Sequence, residues 1–153
     1  MKIDAAQYQQ IAATVYEGKG SGPTPAEAEL VISICQLAVA ADSVEDADEA
    51  ALFDSIAAQV YAHAKVATTP PTFHPLDDDE QRLDLLKSSA AQLAGTPSAS
   101  LAYALAYILA ISDLDLAPEE GELLDDLVDA LGIDPDRADD LIVAVTEIIT
   151  PAE

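Results

Sequence analysis

The stretch that most constrains the fold is residues 99–131, ASLAYALAYILAISDLDLAPEEGELLDDLVDAL. It opens with an uncharged apolar run over 101–111, breaks into the acidic turn Ser112-Asp113-Leu114-Asp115-Leu116-Ala117-Pro118-Glu119-Glu120, and resumes with Leu124, Leu127, Val128 and Leu131 at helical spacing. A run apolar on every side suits a helix covered all round, and a one-faced pattern suits a helix at the surface of a core. The stretch therefore predicts a central helix, a carboxylate-rich corner and an amphipathic helix.

The rest of the chain repeats this vocabulary. Tyr8, Ile11, Ala12, Val15 and Tyr16 predict a first helix, ended by the glycines of 18–22. That glycine segment follows no strand and lacks a Gly-Lys-Ser/Thr ending, so it is not a phosphate-binding loop. Thr24-Pro25-Ala26-Glu27 is a helix start, with Thr24 as cap, Pro25 in the first turn and Glu27 placed to complete a capping box. The second helix runs to about residue 41 and is apolar on most faces. After Asp42-Ser43-Val44-Glu45-Asp46, a third helix buries Phe53, Ile56, Ala57, Val60, Tyr61 and Ala64. Pro70, Pro71 and Pro75 interrupt 66–76, which reads as a linker. A fourth helix starts in Asp77-Asp78-Asp79-Glu80, buries Leu83, Leu86, Ala90 and Leu93, and ends at Gly95. Thr96-Pro97 starts the fifth, Gly132 ends the sixth, and Asp134-Pro135 starts a seventh with Ala138, Leu141, Ile142, Val145, Ile148 and Ile149 on one face. No period-2 run suggests a strand. The expectation is all-α, with about seven helices.

At 153 residues and 50% hydrophobic, the chain is long enough for one domain with a real core, spanning 1–153. Its 29 Asp plus Glu against 6 Lys plus Arg give a net charge of −23. Such a surface repels nucleic acid and anionic membranes and attracts cations and basic proteins; it is equally a solubility or high-salt adaptation. The lone Cys35 allows no internal disulfide and reads as a small core residue. The start of the chain has no signal-peptide apolar segment, and 101–111 is roughly half a membrane span. These features predict a soluble, cytoplasmic protein.

Residues 28–62 align with 99–133 at an offset of 71. Leu30 falls on Leu101, Asp42 on Asp113, Glu49 on Glu120, Leu52 on Leu123 and Asp54 on Asp125. Each copy runs from a Thr-Pro start through an apolar helix and an acidic turn to an amphipathic helix. The half-repeats are about 25–64 and 97–132. Two such hairpins packed about a pseudo-twofold axis bring the acidic corners close together.

The segment Ile111-Ser112-Asp113-Leu114-Asp115-Leu116-Ala117-Pro118-Glu119-Glu120 resembles the signature of the TerB-like family, read as small-apolar, Asp-Gly, acidic, Val, Ser-Pro-Glu-Glu. ELLDDLVDALGIDPD is similar to that family's next helix and its exit, and Ala41-Asp42-Ser43-Val44-Glu45 through Glu49 looks like a degenerate first copy. The resemblance covers about 25–150 and departs where Leu114 and Ser43 replace glycine. It implies a duplicated all-helical fold, a link to tellurite resistance and stress response, acidic residues that bind divalent cations, and work as an interaction module. It implies no catalytic residues.

The carboxylates have a local reading as well. Glu119 and Glu120, like Glu45, Asp46, Asp48 and Glu49, sit where a helix start stabilises negative charge. Asp42 and Asp113 follow apolar helices, at the unfavourable dipole end; each either caps the next helix or meets a cation. Asp42, Glu49, Asp113, Asp115 and Glu120 together supply the hard oxygens that calcium or magnesium takes. The turn is not an EF-hand, because Pro118 and Leu124 stand where that loop needs Gly and Glu. Zinc and haem patterns are absent, and so is the Glu-x-x-His of di-iron bundles. Asp54-Ser55-Ile56 mimics a carrier-protein attachment site, but Ser55 lies inside a helix beside Phe53. His63 and His74 read as surface or loop-packing residues, and no serine or cysteine has a base partner. The expected function is non-enzymatic binding of a divalent cation or a basic partner. The alternatives are a metal-dependent enzyme using the clustered carboxylates and a structural domain with no ligand.

Overall fold

The structure is a computed structural model that describes residues 5–16, 24–40, 47–65, 79–110 and 118–149. These residues form seven helices and no strand: α1 (Ala5–Tyr16), α2 (Pro25–Ala40), α3 (Ala47–His63), α4 (Asp79–Leu93), α5 (Pro97–Ala110), α6 (Pro118–Leu131) and α7 (Pro135–Ile149). The glycine segment, the proline linker with His74, Asp77 and Asp78, and the turns 41–46 and 111–117 lie outside the described residues.

α5 occupies the centre. Its sequence, PSASLAYALAYILA, carries no charge, and Leu101, Leu105, Ile108 and Leu109 are fully enclosed. Within this helix Ala99, Ala102, Ala104 and Ala106 are buried too, and side chains this small let neighbouring helices approach closely. α5 packs against all six other helices. α2 is the second inner helix, enclosed through Ala28, Val31, Ile32, Ile34, Cys35 and Leu37, and it lies against α5, α4 and α3. The outer helices show the expected one-faced burial. Phe53, Ile56, Ala57, Val60, Tyr61 and Ala64 are buried on α3, Leu124, Leu127 and Leu131 on α6, and Ala138, Leu141 and Val145 on α7.

The helix starts are built as the chain specifies. Glu27 N–H donates to Thr24 Oγ1 (3.2 Å) while Thr24 N–H donates to Glu27 Oε1 (3.1 Å), a reciprocal capping box at α2. Asp134 caps α7 by accepting from Asp136 N–H (3.0 Å), with Pro135 next in line.

The ends follow glycine chemistry with one exception. Gly132 takes φ +68°. Ile133 N–H returns to the Val128 carbonyl (3.0 Å) and Gly132 N–H to that of Asp129 (3.2 Å), the paired bonds of a Schellman ending. Ile133 and Val128 both pack on the core beneath it. Gly95 is likewise left-handed, at φ +84°, after α4. After α3 that conformation falls to Lys65, at φ 60°, where a side chain opposes it.

α1 and α7 cap each other across the molecule. Arg137 Nη2, in the first turn of α7, donates to the carbonyls of Thr14 (3.4 Å) and Val15 (3.3 Å) at the end of α1. Gln7 Nε2, near the start of α1, donates to the Ile148 carbonyl at the end of α7 (3.3 Å). The pair therefore runs antiparallel, each end supplying donors to carbonyls that a helix cannot satisfy itself.

The left-handed positions yield a two-sided prediction. Gly132→Ala should destabilise the fold by about 1–2 kcal/mol. Lys65→Gly should stabilise it by up to about 1 kcal/mol, the relief being offset in part by the freer unfolded chain. Urea unfolding of both variants checks this, and a less stable Lys65→Gly protein contradicts it.

Candidate functional site

The five carboxylates singled out from the sequence are only partly reached by the structure. Asp42, Asp113 and Asp115 lie outside the described residues. Glu49 and Glu120 fall within helices, each as the third residue, of α3 and of α6, but their side chains lie outside the described ones. Among the described residues, no three His, Cys, Asp or Glu side chains are grouped to hold a metal ion.

The described carboxylates divide sharply by burial. Asp54, Glu80, Asp84, Asp125, Asp126, Asp129 and the acidic residues of α7 are all exposed. Glu27 alone among them is half-buried. It is drawn in by the capping box and by a contact with another helix. Ser98, in the first turn of α5 and fully buried, donates its hydroxyl proton to Glu27 Oε1 at 2.9 Å. A hydroxyl has one proton, so the Tyr16 hydroxyl, 2.9 Å from Ser98 Oγ, is the donor in that pair. The result is a directed chain, Tyr16 to Ser98 to Glu27, that ties the end of α1 and the starts of α5 and α2 together. Hydrogen bonds ending on a carboxylate are the stronger kind.

A second polar contact lies beside it. His63, in the last turn of α3, is half-buried in the α1–α3 contact rather than set at the surface or in loop packing. Its Nδ1 is 3.0 Å from the Tyr8 hydroxyl. Its ring meets Tyr8 edge-on at 5.6 Å and Tyr16 edge-on at 6.1 Å, a favourable aromatic geometry. Tyr8, Tyr16 and His63 thus pin α1 to α3.

Burial decides the acid–base character of these groups. It pushes the Tyr16 phenol up to about 12, with the Glu27 charge adding to the rise. Burial also raises Tyr8, helped by Tyr16 and Cys35, and raises the enclosed Cys35 thiol. Cys35 is therefore a core residue held as the neutral thiol, not a nucleophile. Tyr103 is raised first by burial and then by Asp125 and Asp139, which places those two exposed carboxylates within electrostatic reach of one phenol. Ser55 lies mid-helix and accepts from Gln59 Nε2 at 3.3 Å, not in the exposed helix-start setting of a carrier serine.

The Tyr16–Ser98–Glu27 chain was not anticipated from the sequence. Its one visible sign was the capping box, which marks Glu27 as a helix-start residue without indicating that a second helix also binds it.

Fold and site together define a strongly acidic chain whose described residues are helical and whose one half-buried carboxylate among them joins helices. No described helix is long and apolar enough to cross a membrane. No protein-family model, curated protein or solved structure matches the chain.

Two outcomes are expected of the polar chain. Ser98→Ala leaves the buried Tyr16 hydroxyl without its acceptor, so it should cost about 1–3 kcal/mol. Adding Tyr16→Phe should then cost much less than Tyr16→Phe alone in the parent, and additive effects in this double-mutant cycle contradict the coupling.

Tyrosine ionisation is the second. Because Tyr16 titrates higher folded than unfolded, its contribution is complete below about pH 10 and is lost as pH rises towards about 12. Stability should fall across that window, less steeply in Tyr16→Phe. Tyrosinate absorbance from Tyr8 and Tyr16 should appear only as helicity is lost; full ionisation of a protein that keeps its circular dichroism refutes this.

Proposed function

We propose that this chain is a non-enzymatic cytoplasmic helical protein of the TerB-like type. It binds a divalent cation, calcium or magnesium, through paired acidic corners made by Asp42 and Glu49 in one half and Asp113, Asp115 and Glu120 in the other. Tellurite resistance or stress response is the setting that the resemblance implies. A basic segment of a partner protein is the other ligand such corners suit.

The observation that carries this reading is the matching place of Glu49 and Glu120, 71 apart in the chain and each third in its helix, α3 and α6. The same separation relates Asp42 to Asp113. The Ser98–Glu27 bond brings together the starts of α5 and α2, the helices that precede the two corners in the chain. Some helix neighbours fit an exchange of halves, α2 lying on α4 and α3 and α5 on α1 and α6, while α5 lies also on α3, α4 and α7. The donors are carboxylate oxygens, the ligands hard cations take. In support of a non-enzymatic role, Ser98 and Cys35 are enclosed and His63 is engaged by Tyr8.

Convergent carboxylates repel one another, and a bound cation relieves that repulsion in the folded state alone, because the unfolded chain has no assembled site. At free metal about 100 times the dissociation constant, stability rises by roughly 2.7 kcal/mol. Calcium should therefore raise Tm beyond an ionic-strength-matched sodium control. Asp113→Asn should reduce that increment more than Asp139→Asn, a change at an exposed residue of α7 that belongs to neither corner. Equal increments in the two variants, or none in the parent, make the corners ordinary helix caps. A basic peptide that raises Tm when calcium does not favours the partner reading instead.

The net charge of −23 predicts a separate, nonspecific effect. Sodium chloride alone should raise Tm by screening repulsion among the exposed carboxylates. A Tm that falls with added salt contradicts it.

A further inference from the structure

We draw no further inference here: the strongest candidate, the hydrogen-bonded cluster of Tyr8, Tyr16, His63, Ser98 and Glu27 where α1, α2, α3 and α5 meet, belongs to the site already described, and its contacts are all made between helices of this chain.

Discussion

The structure depends on the burial of α5. A helix can be enclosed on every side only if its backbone bonds are made internally and its side chains need no water. α5 meets both demands, having no charged residue. Each of its fully buried Leu and Ile side chains contributes about 1.5–3 kcal/mol relative to exposure. Its alanines allow the six other helices to reach it. A charge placed on Leu105 or Ile108 would have no route to solvent, so the whole bundle is sensitive to this one helix.

That core works against a large electrostatic load. The chain carries a net charge of −23, and repulsion of this kind favours expansion. Two features limit it. The described carboxylates other than Glu27 stand in solvent, where water and salt weaken their interaction over roughly 8 Å at physiological ionic strength. One of the scarce cations, Arg137, serves two carbonyls at the end of α1, uniting the first and last helices.

Glu27 shows how one carboxylate can serve two levels of structure. Locally it completes the α2 capping box; across the fold it accepts from Ser98. Loss of this group acts on both together, which links the start of α2 to the positions of α5 and α1. The proposed cation corners lie at the other ends of α2 and α5 in the chain, so the packing of these two inner helices bears on both features.

Much of the fold was legible in the chain because helix formation and amphipathicity are local. The 3.6-residue period identified the buried faces of α1, α3, α6 and α7; Thr24-Pro25-Glu27 and Asp134-Pro135 marked starts; Gly95 and Gly132 marked ends. The five corner carboxylates were picked out by type and spacing alone, which identify possible ligands but not their convergence. Tertiary structure decided the rest. Lys65 adopts a left-handed turn without a glycine to announce it, His63 lodges between two tyrosines, and Ser98 joins Tyr16 to Glu27. The sequence by itself determined which surfaces must leave water, because that depends on composition and period. It left open which surfaces meet, because hydrophobic attraction has no direction and only the packed helices bring residues 71 and 82 positions apart within hydrogen-bond reach.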